Sequence, residues 1–149
     1  MSRVIGVIPA RFASTRFPGK PLAKILGKPL LQWVIEGAKT STALNEVWVA
    51  TDHEEIAGLA RSLGVVVKMT DSDLPTGSDR IWQAVANENV DVVVNIQGDE
   101  PLTSAKMIDP LVAPMLQDVG ISMATLGRPL QSGDLESVTT AKILMNKNN

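Results

Sequence analysis

Short runs of β-branched and other apolar residues alternate along the chain with longer segments in which apolar residues recur every three or four positions. The apolar runs predict buried strands at residues 4–8, 46–51, 65–69, 90–96 and 121–126. The helical spacing predicts helices at residues 30–39, 52–63, 77–88 and 104–117. Strands separated by single helices form βαβ units, which predicts an α/β fold, a Rossmann-like three-layer sandwich with a mostly parallel sheet.

A glycine marks the end of one predicted helix, and two prolines lie inside another. Gly64 follows the second helix directly and is expected to end it, because glycine adopts the left-handed conformation common at that position. Pro110 and Pro114 lie inside the last predicted helix. Each proline removes a hydrogen-bond donor and clashes with the preceding turn, so we expect this helix to be kinked or split.

The residues that open the second helix have two interpretations. Asp52 and Glu55 have the spacing of a capping box, and for Asp52 this role is favoured over a role as a ligand. His53 is predicted to be an exposed residue of the first helical turn, without a function.

Composition and charge exclude several classes of protein. With no cysteine and a single histidine, the 149-residue chain cannot form disulfides, a zinc-thiolate site, a cysteine nucleophile or a histidine-rich metal site. A net charge of −2 and an aromatic content of 3% argue against a nucleic-acid-binding surface. No window approaches the ~20 apolar residues of a spanning helix, and no signal peptide is visible. We therefore expect a one-domain cytoplasmic protein without nucleic-acid or membrane partners.

In parallel sheets, ligands bind outside the carboxyl ends of the strands. This rule selects the loops at residues 9–21, 70–80 and 97–103. The first of these loops contains three cations, Arg11, Arg16 and Lys20. Fixed cations suit a polyphosphate, whereas the alternative is a solvated basic loop. Neither G-x-x-x-x-G-K-[ST] nor G-x-G-x-x-G is present, which excludes a P-loop ATPase and a standard dinucleotide fold.

The other two loops offer backbone groups and carboxylates. In the second loop, Thr76 or Ser78 can cap the following helix, and Gly77 permits close backbone approach. The loop is therefore either a plain helix start or a contact to a base or phosphate. In the third loop, Asp99 and Glu100 occupy a Gly/Pro turn after the most apolar strand. Carboxylates there suit Mg²⁺, and the alternative is a turn-forming aspartate.

Five segments match a known family, in the family's order and spacing. They are IPARFASTRFPGKPL (8–22), GKPLLQWV (27–34), VWVATDHEEI (47–56), TGSDR (76–80) and VVNIQGDEPL (93–102). The chain resembles the CMP-Kdo synthetases, or 3-deoxy-manno-octulosonate cytidylyltransferases. The S-T-R-F-P-G-K loop distinguishes this family from the CMP-sialate synthetases and from general sugar-nucleotide pyrophosphorylases.

The resemblance implies a fold of the nucleotide-diphospho-sugar transferase type. It implies an enzyme that transfers CMP from CTP to the anomeric hydroxyl of Kdo, releasing pyrophosphate, for lipopolysaccharide biosynthesis. It further implies homodimers and the cofactor Mg²⁺, with Asp99 as metal ligand, Lys20 and Asp99 as catalytic residues and Gln97 near the reacting centre. The residues implied to bind the nucleotide are Ala10, Arg11, Ser14, Arg16, Lys20, Thr76, Gly77, Ser78 and Arg80.

Members of this family extend well beyond position 149, and their second metal-binding aspartate and most of the sugar pocket lie in that further part. We therefore expect residues 1–149 to be the CTP-binding part of a cytidylyltransferase domain that is incomplete at its C-terminus. Residues 141–145 look like an edge strand. Three alternatives stay open: part of an active enzyme, a non-catalytic CTP-binding chain, or a truncation product that does not fold because an edge is uncovered.

Overall fold

The computed structural model describes residues 2–13 and 17–145 and consists of a parallel sheet flanked by helices. The strands are β1 (Val4–Ala10), β2 (Lys24–Ile25), β3 (Lys28–Pro29), β4 (Glu46–Thr51), β5 (Val66–Met69) and β6 (Val92–Asn95). The helices are α1 (Leu30–Ala38), α2 (Glu54–Ser62), α3 (Gly77–Val85) and α4 (Ala105–Gln117), with a 3-10 turn at Lys20–Leu22. β2 and β3 form a short antiparallel pair, and the other four strands form the sheet.

β1 lies inside the parallel sheet, whose strand order is β5-β4-β1-β6. It pairs with β4 on one side, where Ile5 is opposite Glu46, and with β6 on the other, where Val4 is opposite Val92. The strand order therefore reverses between β1 and β6, and sheets of this kind bind ligands at such a switch point. The predicted Rossmann-like fold with a mostly parallel sheet is confirmed.

The sheet is buried on both faces because apolar side chains alternate along β1. Val4 and Ile8 pack against buried residues of α1, α2 and α4 on one face. Ile5 and Val7 pack with Trp48 and with α3 on the other face. All four β1 side chains are at most 1% exposed. Helices on both faces give the three layers that the alternating pattern predicts.

α1 approaches the turn after β6 so closely that only glycine fits at the contact. A Cβ built on Gly37 would lie 2.0 Å from the carbonyl oxygen of Thr103. Asp109 joins α4 to the segment just after α1. Its carboxylate accepts hydrogen bonds from the hydroxyls of Ser41 (2.5 Å) and Thr42 (3.0 Å). The Ser41 hydrogen bond lowers the pKa of Asp109. α1 therefore fixes the position of the turn after β6.

The start of α2 differs from the sequence prediction, while its end agrees. The helix begins at Glu54, and His53 is the N-cap residue with an extended backbone and no side-chain capping bond. The prediction that Asp52 caps this helix is wrong, because its carboxylate forms an ion pair with Arg80. Gly64 ends the helix with a φ of 70°, as predicted.

α4 is one helix despite its two internal prolines, so of the two expected outcomes the split is wrong and the kink stays a prediction. Its inner face is anchored in the core by Ile108 and Val112, both at most 3% exposed. The prolines leave the carbonyls of Lys106 and Pro110 without a helical partner, and both residues are exposed, so water can bind these groups. The helices of the described ranges all fall short of the length and apolarity that crossing a bilayer requires.

The strands predicted at residues 121–126 and 141–145 do not form within the described ranges. A strand needs a hydrogen-bonding partner, and neither segment pairs with an edge of the sheet there. Their apolar side chains face solvent instead, since Met123 is 84% exposed and Leu144 94%. A short apolar run was therefore not sufficient to mark a buried strand in this part of the chain.

Candidate functional site

A cleft of about 270 Å³ opens at the carboxyl edge of the sheet, between the loops after β1 and β6 and the start of α3. Most of the residues predicted to bind ligands line it: Ala10, Arg11, Lys20, Thr76, Gly77, Arg80, Gln97 and Asp99. Ser78 does not line the cleft, and Ser14 and Arg16 lie outside the described residues. The fold thus brings the three predicted loops together at one place.

The three loops meet around Pro9, near the end of β1. A Cβ built on Gly77 would lie 3.3 Å from Cγ of Pro9, and one built on Gly98 would lie 3.0 Å from the Pro9 carbonyl oxygen. Both separations are shorter than ordinary van der Waals contact, so any side chain at these positions would push the loops apart. Glycine therefore allows the start of α3 and the turn after β6 to close onto β1.

Lys20 and Asp99 form an ion pair in the cleft, with the lysine Nζ 2.6 Å from the aspartate Oδ2. Gly19, with a φ of 67°, leads the chain into the 3-10 turn that begins at Lys20, and its N–H donates to the carbonyl of Phe12 at 2.9 Å. The two charged side chains are 42% and 51% exposed, so a ligand can reach both. A cation that suits phosphate thus lies beside a carboxylate that suits a divalent metal.

Arg80 lines the cleft, but its guanidinium is already held by the protein. Its Nη2 lies 3.2 Å from Oδ2 of Asp52, and its Nη1 donates to the hydroxyl of Thr70. The Arg80 and Asp52 side chains are only 3% and 8% exposed. Breaking such a buried pair is costly, so a nucleotide would have to compete with Asp52 for this guanidinium.

A capping box fixes the start of α3 at the cleft. The hydroxyl of Thr76 accepts a hydrogen bond from the Asp79 N–H (3.2 Å), and the Asp79 carboxylate accepts one from the Thr76 N–H (3.1 Å). Of the two candidate caps, Thr76 is therefore the N-cap and Ser78 is not. Gly77, the first residue of this helix, lines the cleft, and a helix N-terminus favours anions.

Replacing Thr76 with alanine should lower the free energy of unfolding by about 1 kcal/mol, because the cap bond to the Asp79 N–H is lost. Chemical denaturation would measure the change. Ser78→Ala, two residues along the same turn, is the control and should change stability by less than about 0.5 kcal/mol. Equal losses in the two variants would contradict the assignment of the cap.

A sequence model of the family described as Cytidylyltransferase matches residues 5–149. The chain belongs to the cytidylyltransferase family. The 3-deoxy-manno-octulosonate cytidylyltransferase of Bdellovibrio bacteriovorus is 55% identical over 144 residues, which are 97% of this chain and 58% of the relative. That of Geobacter metallireducens is 42% identical over 146 residues, with the same two coverages. A solved structure of CMP:2-keto-3-deoxy-manno-octonic acid synthetase complexed with CTP is 38% identical with a TM-score of 0.77, over 80% of this chain and 50% of that one.

These similarities confirm the resemblance of the chain to the CMP-Kdo synthetases. The chain spans somewhat more than half the length of the curated relatives it matches, 58% for both of those described. The matched region is likewise half of the solved synthetase chain that was complexed with CTP.

The acidic side chains at the cleft decide whether it fits a metal ion. Asp99 is the only carboxylate lining the cleft in the part of the chain that the structure describes, and no group of three or more His, Asp or Glu side chains that could hold a metal ion occurs there. Mg²⁺ usually takes one or two carboxylates together with substrate phosphates and water. The cleft therefore fits Mg²⁺ that arrives with a polyphosphate better than a metal held by protein groups alone.

Gln97 and Glu100 lie on either side of Asp99 but have different surroundings. Gln97 borders the cleft and donates from its side-chain amide to Oδ1 of Asn95 at 3.2 Å. Glu100 does not line the cleft; it borders a separate groove of about 130 Å³ between β6 and α4, which Gln97 also borders. The neighbouring acids Asp99 and Glu100 therefore do not form a joint carboxylate pair in the cleft.

His53 is placed differently from the exposed position that the sequence predicts. Its ring stacks on that of Phe12, with centroids 3.9 Å apart and planes at 13°. The residue is half-buried, and its Nδ1 is buried with no hydrogen-bond partner among the described residues. Since Phe12 and His53 are far apart in sequence, no local pattern could have indicated this contact. The stacking joins the loop after β1 to the segment between β4 and α2.

Proposed function

We propose that this chain forms the CTP-binding part of an enzyme that transfers CMP from CTP to the anomeric hydroxyl of Kdo, with release of pyrophosphate, in lipopolysaccharide biosynthesis. The observation that carries the proposal is the cleft at the β1/β6 switch point, where Lys20 and Asp99 meet beside the capped start of α3. The similarity to Kdo cytidylyltransferases and to a synthetase complexed with CTP supports it.

In this proposal, the basic loop after β1 binds the triphosphate. Arg11 and Lys20 border the cleft, and Ser14 and Arg16 belong to the same loop in the sequence. Cations and hydroxyls stabilise the charge of a polyphosphate through charge-assisted hydrogen bonds. Thr76 and Gly77, which line the cleft at the start of α3, would contact the cytidine portion.

The chemistry needs little beyond positioning and charge. The anomeric hydroxyl of the sugar loses its proton to water and its oxygen forms a bond to the α-phosphorus of CTP. The bond from that phosphorus to the bridging oxygen of pyrophosphate breaks, and pyrophosphate leaves. Positive charge beside the leaving pyrophosphate lowers the barrier, and Lys20 would supply it. Gln97, at the rim of the cleft, would hydrogen-bond near the reacting centre.

Mg²⁺ is the proposed cofactor, and Asp99 is the residue that would hold it. When bound, the ion neutralises phosphate charge and orients the triphosphate. Asp99 now accepts its hydrogen bond from Lys20, so this lysine has to turn from the carboxylate towards phosphate when the nucleotide binds.

Binding of CTP without catalysis is a second candidate function. The observation that favours it is the single carboxylate, Asp99, that lines the cleft within the described ranges. One carboxylate holds Mg²⁺ less firmly than two, and the α-phosphate would be less well oriented.

Pyrophosphate release and CTP binding, measured on the same sample, distinguish the two candidates. The enzyme is expected to release pyrophosphate from CTP only when Kdo and Mg²⁺ are both present. CTP binding in a calorimeter without any CMP-sugar would favour the second candidate. Release with sialic acid but not with Kdo would exclude the Kdo assignment, and absence of both binding and release would contradict both candidates.

A further inference from the structure

Asp52 contacts two of the three loops that border the cleft, although it does not line the cleft itself. Its Oδ2 pairs with the Arg80 guanidinium at 3.2 Å, at the start of α3. Its Oδ1 accepts a hydrogen bond from the backbone N–H of Phe12 at 3.4 Å, in the loop after β1. Each carboxylate oxygen is therefore directed to a different side of the cleft.

The contacts of Asp52 continue to Lys20. The ring of Phe12 stacks on His53, the residue after Asp52, so that the segment between β4 and α2 holds both the backbone and the side chain of Phe12. The carbonyl of Phe12 accepts the N–H of Gly19, which turns the chain into Lys20. The placement of the Lys20 ammonium thus depends on a chain of direct contacts that begins at Asp52.

We propose that Asp52 is a positioning residue, which sets the separation of the loop after β1 and the start of α3 so that together they bind the nucleotide. Arg80 acts with it rather than as a nucleotide ligand, because its guanidinium is used by Asp52 and Thr70. The part of this inference that concerns nucleotide binding rests on the proposed function. The part that concerns the arrangement of the two loops does not depend on that function.

The carboxylate is specifically required at this position. Two acceptor oxygens bond two donors that come from different loops, and an asparagine would offer one oxygen and turn an NH₂ group towards the second donor. At 8% exposure, water cannot replace the lost acceptor easily. We therefore expect Asp52→Asn to loosen both loops even if the sheet keeps its core.

Amide hydrogen exchange in the absence of nucleotide tests the arrangement of the loops. In Asp52→Asn, exchange should accelerate several-fold at the amides of Phe12, Gly19 and Arg80, and not along β1. Glu46→Gln is the matched control. It removes the charge of an acid at the opposite end of β4, bonded to Arg3 and Trp48, and should leave these loop amides unchanged.

CTP affinity, measured well below the melting temperature of each variant, tests the consequence. Asp52→Asn is expected to weaken binding about tenfold through lost preorganisation, while Glu46→Gln keeps the wild-type affinity. A structural role alone would lower the melting temperature and leave the affinity unchanged. If Asp52→Asn does not fold, Asp52→Asn/Arg80→Gln removes the unpaired buried cation and takes its place in both measurements.

The outcomes separate the two proposals. Unchanged exchange at the loop amides, or faster exchange with unchanged CTP affinity, would overturn the positioning role. If the wild-type chain does not bind CTP, the nucleotide assignment fails, and the exchange data alone still decide whether Asp52 holds the two loops.

Discussion

Replacing Gly37 with alanine should destabilise the chain by at least about 3 kcal/mol, or prevent folding, because the new methyl group has no space. It would lie 2.0 Å from the carbonyl oxygen of Thr103 and 2.9 Å from its carbonyl carbon, and both are backbone atoms. Thr103 cannot retreat easily, since its N–H and hydroxyl both bond the Glu100 carbonyl. α1 cannot retreat either, because Leu31 and Ile35 are fully buried in the core.

Gly58→Ala is the control for this prediction. Gly58 also lies within a helix, α2, but a Cβ there would meet nothing within 4 Å. Alanine is the better helix former, so this variant should be more stable than the wild type by roughly 0.5–1 kcal/mol. Chemical denaturation of both variants measures the contrast. Similar stability changes in the two variants would show that the contact of α1 with Thr103 is looser than described.

Lys20→Ala should weaken CTP binding by roughly 30- to 150-fold, the equivalent of losing about 2–3 kcal/mol from one hydrogen bond between charged groups. The phosphates lose a cation, which weakens binding. The ion pair of Lys20 with Asp99, at 2.6 Å, reduces the size of this effect. Because Lys20 must first leave Asp99 in the wild type, the net contribution of this lysine is smaller than that of an unpaired cation.

Calorimetry with CTP and Mg²⁺ measures this loss, and Lys39→Ala is the control. The Lys39 Nζ bonds the Leu63 carbonyl and borders a separate cavity at the opposite end of the sheet, so its removal should leave CTP affinity unchanged. Equal effects of the two substitutions would remove the assignment of the loop after β1 to phosphate binding.

Local patterns were sufficient to predict the sheet and the place of the cleft. β4 has the predicted bounds, and Gly64 ends α2 as expected, because a run of apolar residues and a left-handed glycine are both encoded within a few residues. The rule for parallel sheets then placed Lys20, Thr76 and Asp99 at one edge, because each follows the carboxyl end of a strand.

Contacts between distant residues could not be predicted in the same way. Asp52 has the spacing of a helix cap, yet its carboxylate pairs with Arg80, whose approach depends on how α3 crosses the sheet. The stacking of Phe12 on His53 depends on the same tertiary arrangement. The apolar run at 121–126 failed as a strand because an apolar pattern does not show whether a pairing edge is available.

The interior position of β1 has a consequence for synthesis on the ribosome. β1 is made first and can pair with β4 soon afterwards, but its other edge stays bare until residues 92–95 have emerged. A nascent chain that stalls before that point carries an unpaired apolar strand edge and is prone to associate with other chains. Because Lys20 and Asp99 meet only when β6 joins β1, translation of this one strand both covers the bare edge of β1 and creates the binding cleft.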